Sequence, residues 1–141
     1  MTWIQKTIVL RGYTRGIHLI TETVRHAAEG IANINTGMMN LFLQHTSAGL
    51  TLNENADPSV RRDFQQYLSH TVPDGAEYFT HTLEGVDDMS AHIKTSLIGQ
   101  SLSIPIGNGH PLLGTWQGIY FCEFRNTPSP RKLIITVNGE I

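Results

Sequence analysis

Two titratable side chains four residues apart give the sharpest chemical signal in the sequence. Asp88 and His92 lie in the segment EGVDDMSAHIK, and a helix that begins near Asp87 or at Asp88 would place them on one face. The carboxylate could fix the tautomer of the imidazole and raise its proton affinity, which is typical of an acid/base pair. Alternatively, the two could bind a divalent cation together with His81 or His45 from other segments. The simpler interpretation is a helix-start acid in an ordinary i,i+4 pair.

Two short polar segments flank a predicted strand. Residues 45–47 (His-Thr-Ser) follow an apolar run, and residues 53–57 (Asn-Glu-Asn-Ala-Asp) begin eight positions further along the chain. Hydroxyls and backbone amides at the end of a strand can hold an oxyanion, so a binding site is one interpretation of residues 45–47. The same residue types are also common in turns and helix caps, and these segments alone leave both interpretations open.

A third set of polar residues lies in a predicted strand over residues 115–125. Side chains alternate between the two faces of a strand, which here gives one polar and one apolar face. Arginine suits phosphate or carboxylate because its planar guanidinium donates two hydrogen bonds at once, so Arg125 could bind an anion. The polar face comprises Thr115, Gln117, Glu123 and Arg125, and the apolar face comprises Trp116, Tyr120, Cys122 and Phe124.

Short metal-binding and nucleotide-binding motifs are absent from the sequence. It contains no H-E-x-x-H, C-x-x-C or GxGxxG, so any metal site must be assembled from distant segments. Cys122 is the only cysteine, which excludes an intrachain disulfide, and its apolar neighbours predict a buried, unreactive thiol. For His18, His26 and His70 we expect surface or capping roles.

The composition limits the class of protein. The chain has 141 residues, enough for one compact domain, whereas a (β/α)8 barrel needs about 250. Ten Lys and Arg against twelve Asp and Glu give a net charge of −2, which argues against a nucleic-acid partner. Charged residues make up only 16%, and an uncharged polar surface of this kind could be covered by a partner subunit. No apolar run approaches about 18 residues and the first residues do not resemble a signal peptide, so we expect a cytoplasmic protein without a membrane partner.

The elements that must position these residues are predicted to form a single α+β domain over residues 1–141. Helices concentrate in the middle, and closely spaced strands near the C-terminus favour antiparallel pairing. The run over 38–45 is apolar at most positions, which predicts a strand covered on both faces. We predict strands over residues 3–10, 38–45, 49–53, 101–106, 115–125 and 132–137, a short strand over 78–82, and helices over 22–32, 58–70 and 87–98.

Local signals indicate where the helices begin and end. Thr21 and Asp57 are predicted N-caps, because their side-chain oxygens can accept hydrogen bonds from free amides of the first turn. Gly99 is predicted to end the third helix. In the second helix, the apolar spacing predicts a buried stripe of Val60, Phe64, Tyr67 and Leu68.

Three long motifs together resemble the YjbQ-like family, known as secondary thiamine-phosphate synthases. The motifs are HTSAGLTLNENADPSVRRDF, EGVDDMSAHIKTSLIGQSLSIPIGNG and GTWQGIYFCEFR, in this order, and the resemblance extends from Lys6 to Glu140. It implies an α+β domain with a largely antiparallel, β-sandwich-like core and about three flanking helices. It also implies a cytoplasmic homotrimer with sites near the subunit boundaries. The implied reaction joins a pyrimidinylmethyl diphosphate to a thiazole phosphate and releases pyrophosphate.

The candidate site residues match polar positions of the family pattern. We expect catalytic roles for His45, Glu54, Asp88 and His92, and a divalent metal ion, zinc or magnesium, bound by His45, His81 and His92. Contacts to a small phosphorylated substrate are expected from Thr46, Ser47, Asn53, Asn55, Lys94, Gln117 and Arg125, with Lys94 and Arg125 stabilising negative charge. Two other functions stay open: metal-dependent hydrolysis of a small phosphate or amide substrate at the same histidines, and ligand binding by a non-catalytic trimer.

Overall fold

The computed structural model describes residues 1–141 as eight β-strands and three α-helices. A short 3-10 turn (Ile31–Asn33) lies between the first helix and the third strand. The elements are β1 (Thr2–Leu10), β2 (Gly16–Leu19), α1 (Thr21–Ala27), β3 (Thr36–Leu43), β4 (Ala48–Glu54), α2 (Pro58–Thr71), α3 (Asp88–Ile98), β5 (Ser101–Gly107), β6 (His110–Pro111), β7 (Gln117–Glu123) and β8 (Arg131–Glu140).

The strands form two antiparallel sheets. Five strands pair in the order β1-β8-β3-β5-β6, and three pair in the order β2-β7-β4. Leu41 and Leu133 of the larger sheet share one apolar core with Leu50 and Phe121 of the smaller sheet. Burial of each such side chain contributes about 1.5–3 kcal/mol, so the core between the sheets is the main source of stability. The predicted α+β class with antiparallel sheets and three helices is confirmed.

The smaller sheet is covered on both faces, because α2 and α3 pack on the face that the larger sheet leaves free. Leu68 and Ala91 of these helices contact Cys122 and Phe124. Every residue of β7 after the first is therefore buried. Burial raises the pKa of the Cys122 thiol to about 12, as expected of an unreactive cysteine.

The predicted exposure of two strands is wrong, in opposite directions. Glu123, expected on a polar face, is 1% exposed, whereas Trp116, expected in the core, is 64% exposed. The strand expected to be covered on both faces, β3, buries one face only, and Met38 and Phe42 on its other face are 44% and 46% exposed. Glu123 lies on the face of β7 that packs on the larger sheet, together with Ile119 and Phe121, and it pairs there with Arg131 of β8. Helices α2 and α3 cover the other face of the smaller sheet and leave the outer face of the larger one open.

The helix predictions are confirmed at two ends and wrong at others. The Asp57 carboxylate accepts a hydrogen bond from the Ser59 amide and caps α2, and Gly99 ends α3 with a φ of 99°. Thr21 does not cap α1, because its hydroxyl accepts a hydrogen bond from the backbone N–H of Ile119. The first helix is also shorter than the predicted range of 22–32, since α1 ends at Ala27.

Two further predictions fail in the middle of the chain. The predicted stripe of α2 is only partly buried, because Tyr67 is exposed and only Leu68 is fully buried. Residues 72–87 contain no strand, so the one predicted over 78–82 is absent. No helix has the length and apolar character needed to cross a membrane.

Candidate functional site

A buried carboxylate at the start of α3 is the centre of the site. Asp88 is 1% exposed, and its two oxygens have different partners. Oδ2 lies 2.7 Å from Nε2 of His81 and 3.2 Å from Nε2 of His92. Oδ1 accepts a 2.6 Å hydrogen bond from Arg125. The pairing of Asp88 with His92 across one helical turn is therefore present, and His81 joins it from the connection that precedes α3.

The ring of His92 is held on both sides. Its Nδ1 lies 2.9 Å from the carbonyl oxygen of Thr46, which can only accept, so Nδ1 carries a hydrogen. A neutral His92 then presents an unprotonated Nε2 to Asp88 Oδ2, and two acceptors repel each other. The contact is favourable when His92 is an imidazolium or when a cation lies between Nε2 and the carboxylate. A carbonyl behind the other ring nitrogen is the usual partner of a metal-bound histidine.

His81 lies on an irregular, largely exposed connection and is itself 47% exposed. Two interactions hold this connection: the Gly75 amide donates to the carbonyl of Val86, and Arg125 donates to the carbonyl of Glu84. The ring centroids of His81 and His92 are 5.3 Å apart. One side of the His-Asp-His group is thus open to solvent, and a ligand could approach from there.

The guanidinium of Arg125 fixes the acidic end of α3. Its Nε donates to Asp87 at 2.9 Å, one terminal nitrogen donates to Asp88, and the other donates to Glu84 at 2.8 Å. The Asp87 carboxylate also accepts from the Asn126 amide, so it does not cap the helix. Arg125 therefore binds this chain's own pair of carboxylates, which compensate its charge, and the geometry does not support the expected phosphate contact from Arg125.

The site keeps its carboxylates ionised. Burial alone would raise the pKa of Asp88, but a hydrogen bond from His81 and the charges of His92 and Arg125 outweigh it and hold the pKa below its ordinary value. Burial likewise opposes ionisation of Asp87, and hydrogen bonds from the Asn126 amide and from Arg125 lower its pKa. Burial would lower the pKa of Arg125, yet the hydrogen bond and charge of Asp87 raise it.

The three central residues offer a donor set for a metal ion. His81, Asp88 and His92 each supply one ligand atom, and these atoms lie within 4.8 Å of one another. Two imidazole nitrogens and one carboxylate oxygen are typical of catalytic zinc sites, which keep a fourth position for water or substrate. Magnesium prefers oxygen ligands alone, so the donor chemistry fits zinc better.

His45 is not part of this group, so the expected ligand set of His45, His81 and His92 is not assembled in one chain. Nε2 of His45 accepts a 2.8 Å hydrogen bond from the backbone N–H of Lys132. The group that forms, Asp88 and His92 with His81, is the alternative set considered for a divalent cation from the spacing of Asp88 and His92. Only the carbonyl of Thr46, the next residue, touches the site, through His92.

A buried ion pair anchors the turn that carries His45 and Thr46. Arg131 donates to both carboxylate oxygens of Glu123, at 2.8 and 2.6 Å, and to the carbonyl of Ser47 at 3.4 Å. Both charged side chains are almost fully buried. Because Ser47 is itself buried, its expected contact with a phosphate has no support in the geometry.

Lys94 lies away from the site. It is 2% exposed, and two residues along a helix from His92 place it about 200° around the axis. Its ammonium lies 5.8 Å from the ring centre of Phe124, and burial, with the nearby charge of Arg15, lowers its pKa. The expected role of Lys94 in neutralising a phosphate is therefore not supported.

Three expected substrate contacts and one expected catalytic residue lie at the end of β4 and β7 that is far from this turn. The strand β4 spans seven residues, and at about 3.3 Å per residue its far end is about 20 Å from the turn at residues 45–47. Asn55 and Gln117 line a separate cavity of about 450 Å³ beside α1. The single crevice expected from the sequence is therefore not formed within one chain. The residues displaced from it are Asn53, Glu54, Asn55 and Gln117.

A second charged network ties the first turn of the chain to α3. Arg15 donates to both oxygens of Asp74, and Ser90 donates to Asp74 as well. Burial would raise the pKa of Asp74, but these hydrogen bonds outweigh it and lower the pKa. The network therefore depends on an ionised Asp74.

Replacing Asp74 with asparagine should cost on the order of 1 kcal/mol of unfolding free energy at neutral pH. Because the folded-state pKa is lowered, this contribution is complete above the unfolded pKa, near 3.8, and is lost as pH falls through the folded pKa. Urea unfolding from pH 7 to 2 should show wild type and variant converging below about pH 4. Asp63→Asn on exposed α2 is the control, and a pH-independent difference would contradict the prediction.

Comparison with known proteins gives the family. Residues 6–140 match the family described as UPF0047 protein YjbQ-like. The chain belongs to the YjbQ-like family. It is 49% identical over 138 residues to the UPF0047 protein YjbQ of Salmonella typhimurium, with 98% of this chain and 99% of that protein covered. The UPF0047 protein sll1880 of Synechocystis is 36% identical over 137 residues, with 97% and 92% covered.

Solved structures of YjbQ-like proteins share the fold. A protein of the yjbq/upf0047 family from Clostridium acetobutylicum superposes with a TM-score of 0.81 at 40% identity, covering 92% of this chain and 97% of that one. The hypothetical protein APE1520 from Aeropyrum pernix gives a TM-score of 0.86 at 26% identity, covering 97% and 99%.

Sequence reasoning missed the partners that hold the site. Asp87 was considered only as the start of the third helix, and the pairing of Glu123 with Arg131 was not anticipated. One usable signal was present: Asp87 and Asp88 are adjacent acids, and two such acids need a cation wherever the fold buries them. An arginine is the side chain that can bridge both.

Proposed function

We propose that this YjbQ-like chain binds a divalent metal ion, preferably zinc, through His81, Asp88 and His92 and acts on a small phosphorylated substrate. The observation that carries the proposal is the convergence of two imidazole nitrogens on one buried, ionised carboxylate oxygen. Lys94 is buried and Arg125 is paired with two carboxylates, so neither offers its positive charge to the substrate. A bound cation would supply that charge. When bound, such an ion supplies Lewis acidity toward a phosphate oxygen.

The chain's own residues orient the donor atoms. Arg125 holds Oδ1 of Asp88 and thereby turns Oδ2 toward the histidines. The carbonyl of Thr46 holds Nδ1 of His92 and leaves Nε2 as the donor atom. An ion pair and a backbone carbonyl thus preorganise the group, which lowers the reorganisation that ligand binding would require.

The reaction we propose is the thiamine-phosphate synthase-like transfer that the family resemblance implies. The carbon–oxygen bond of a pyrimidinylmethyl diphosphate breaks, and its electron pair leaves with pyrophosphate. The ring nitrogen of a thiazole phosphate donates its lone pair to the same carbon and forms the new carbon–nitrogen bond. No electron is exchanged with a redox partner, so this chain needs to bind, align and stabilise negative charge. A cytoplasmic location is part of this proposal.

The test is turnover of the two phosphorylated substrates by the purified, zinc-loaded protein, with pyrophosphate and thiamine phosphate both measured. His92→Ala should lower the rate by about a hundredfold or more, while His70→Ala on the surface of α2 should leave it unchanged. Pyrophosphate release without thiamine phosphate would replace the proposal with metal-dependent hydrolysis. Saturable binding without turnover would replace it with a non-catalytic binding protein.

We also propose that the outer face of the larger sheet joins copies of this chain in the expected homotrimer. Trp3, Val9, Met38 and Phe42 are exposed there. Most of the other residues on this face are uncharged. For example, Trp3 pairs with Asn138 and Gln5 pairs with Thr136. An exposed apolar patch with few charges is typical of an interface.

Replacing Met38 with lysine should dissociate the assembly, because it buries a charge at the centre of the proposed interface. Sedimentation equilibrium should give three times the 15.7 kDa chain mass for wild type and a single chain mass for the variant. Tyr67→Lys, on the exposed side of α2, should stay trimeric. A wild-type protein that sediments as a monomer at every concentration would refute this proposal.

A further inference from the structure

An open cavity of about 400 Å³ lies at the end of β3, next to the His-Asp-His group. The link between the two is Thr46, whose carbonyl holds His92 while the residue itself lines the cavity. No acidic or basic side chain other than His45 lines it, so a ligand there would meet neutral polar groups. The lining residues are Phe42, Leu43, Gln44, His45, Thr46 and Gln100.

The tautomer of His45 follows from its backbone partner. The Lys132 amide can only donate, and it lies 2.8 Å from Nε2 of His45, so Nε2 has no hydrogen. A neutral imidazole with an unprotonated Nε2 carries its hydrogen on Nδ1. No group of the chain accepts a hydrogen bond from Nδ1, although His45 is only half-buried and lines the cavity. The ring therefore has one unused donor beside the cavity.

The surroundings of His45 favour its neutral form. Burial is the largest cause of a lowered pKa, and the positive charge of Arg131 acts in the same direction. Glu123 would raise the pKa, but its carboxylate is paired with Arg131, and the charge of Lys132 lowers the pKa further. A neutral histidine donates a hydrogen bond without giving up its proton, which suits a group that stabilises an anion.

We propose that His45 is a neutral hydrogen-bond donor, through Nδ1–H, to a phosphoryl oxygen of a ligand in this cavity, and not a metal ligand or a base. Thr46 and the two glutamines also line the cavity and carry neutral donor groups. Phosphoryl oxygens suit this set because they only accept, whereas a cationic ligand would find no carboxylate among the lining residues. The phosphoryl class rests on the proposed function, while the tautomer and the donor role of His45 rest on the geometry alone.

Two variants separate the ring nitrogens of His45. His45→Asn places an amide near the Nδ1 position and can keep the donor, whereas His45→Gln places an amide near Nε2 and keeps only the acceptor for Lys132. With pyrophosphate as the probe and metal-free protein, His45→Gln should weaken binding about tenfold, the cost of one hydrogen bond to an anion, and His45→Asn should stay within about threefold of wild type.

Nitrogen-15 NMR of the wild-type histidines gives a readout that needs no variant. The proposal predicts an Nδ1–H tautomer for His45 at neutral pH and a shift of that nitrogen when pyrophosphate is added. An Nε2–H tautomer, an imidazolium, no pyrophosphate binding, or full affinity in His45→Gln would each overturn it. Pyrophosphate binding through His45 without thiamine phosphate formation would instead reject the proposed reaction and leave this inference standing.

Discussion

Replacing Asp88 with asparagine should abolish tight zinc binding while leaving the protein folded. The amide removes the negative charge on which His81 and His92 converge, so three ligand atoms become two. Loss of a residue that merely supports a ligand weakens metal affinity about 10–100-fold, and loss of a ligand itself should cost more. The fold should survive because Arg125 keeps Asp87 and Glu84 as partners, at a cost of about 1–3 kcal/mol for the altered buried hydrogen bonds.

Competition titration against a chromophoric chelator measures the zinc affinity of each variant, and circular dichroism checks that it is folded. Asp63→Asn makes the same chemical change at an exposed position of α2 and should bind zinc as wild type does. Turnover should fall with zinc affinity across Asp88→Asn, His81→Ala and His92→Ala. Unchanged zinc affinity in Asp88→Asn would show that the carboxylate is not a ligand.

Breaking the ion pair between Glu123 and Arg131 should have the largest effect on stability. Glu123→Ala leaves the guanidinium of Arg131 buried without its carboxylate, and such changes cost about 3–5 kcal/mol. Domains of this size have about 5–15 kcal/mol in total, so the variant should lose about a fifth or more of its stability and melt about 10 °C or more below wild type. The turn at residues 45–47 should loosen too, because Arg131 also holds the carbonyl of Ser47.

Urea unfolding monitored by circular dichroism measures this loss. Glu29→Ala, at an exposed acid after α1, is the control and should stay within about 0.5 kcal/mol of wild type. The double variant Glu123→Leu with Arg131→Met removes both charges and should recover most of the stability. A loss below 1 kcal/mol in Glu123→Ala would mean that water reaches the guanidinium and that the pair does not anchor the turn.

Much of the fold could be predicted from local sequence signals. The Asp57-Pro58 start of α2 and the Gly99 end of α3 are set by backbone geometry within a few residues, and both were correct. The exposure of β3 and β7 depends on which faces of the two sheets other elements cover, and neither strand encodes that in its own residues. Alternation in β7 therefore predicted an exposed face where Ile119 and Phe121 pack into the core between the two sheets.

The site was predictable in part. The spacing of Asp88 and His92 made their contact predictable, because helix geometry alone brings them together. The roles given to Arg125 and Lys94 could not be judged from sequence, since they depend on which acids reach each cation in the folded chain. Arg125 meets Asp87 and Asp88 across a separation of nearly forty residues, a pairing that no local pattern indicates.

Anomalous diffraction at the zinc absorption edge, from crystals of the protein loaded with one equivalent of zinc, tests the central claim most directly. The account predicts one peak per chain, about 2.0–2.2 Å from Nε2 of His81, Nε2 of His92 and a carboxylate oxygen of Asp88. A peak at other side chains, or no peak at these three residues, would contradict it.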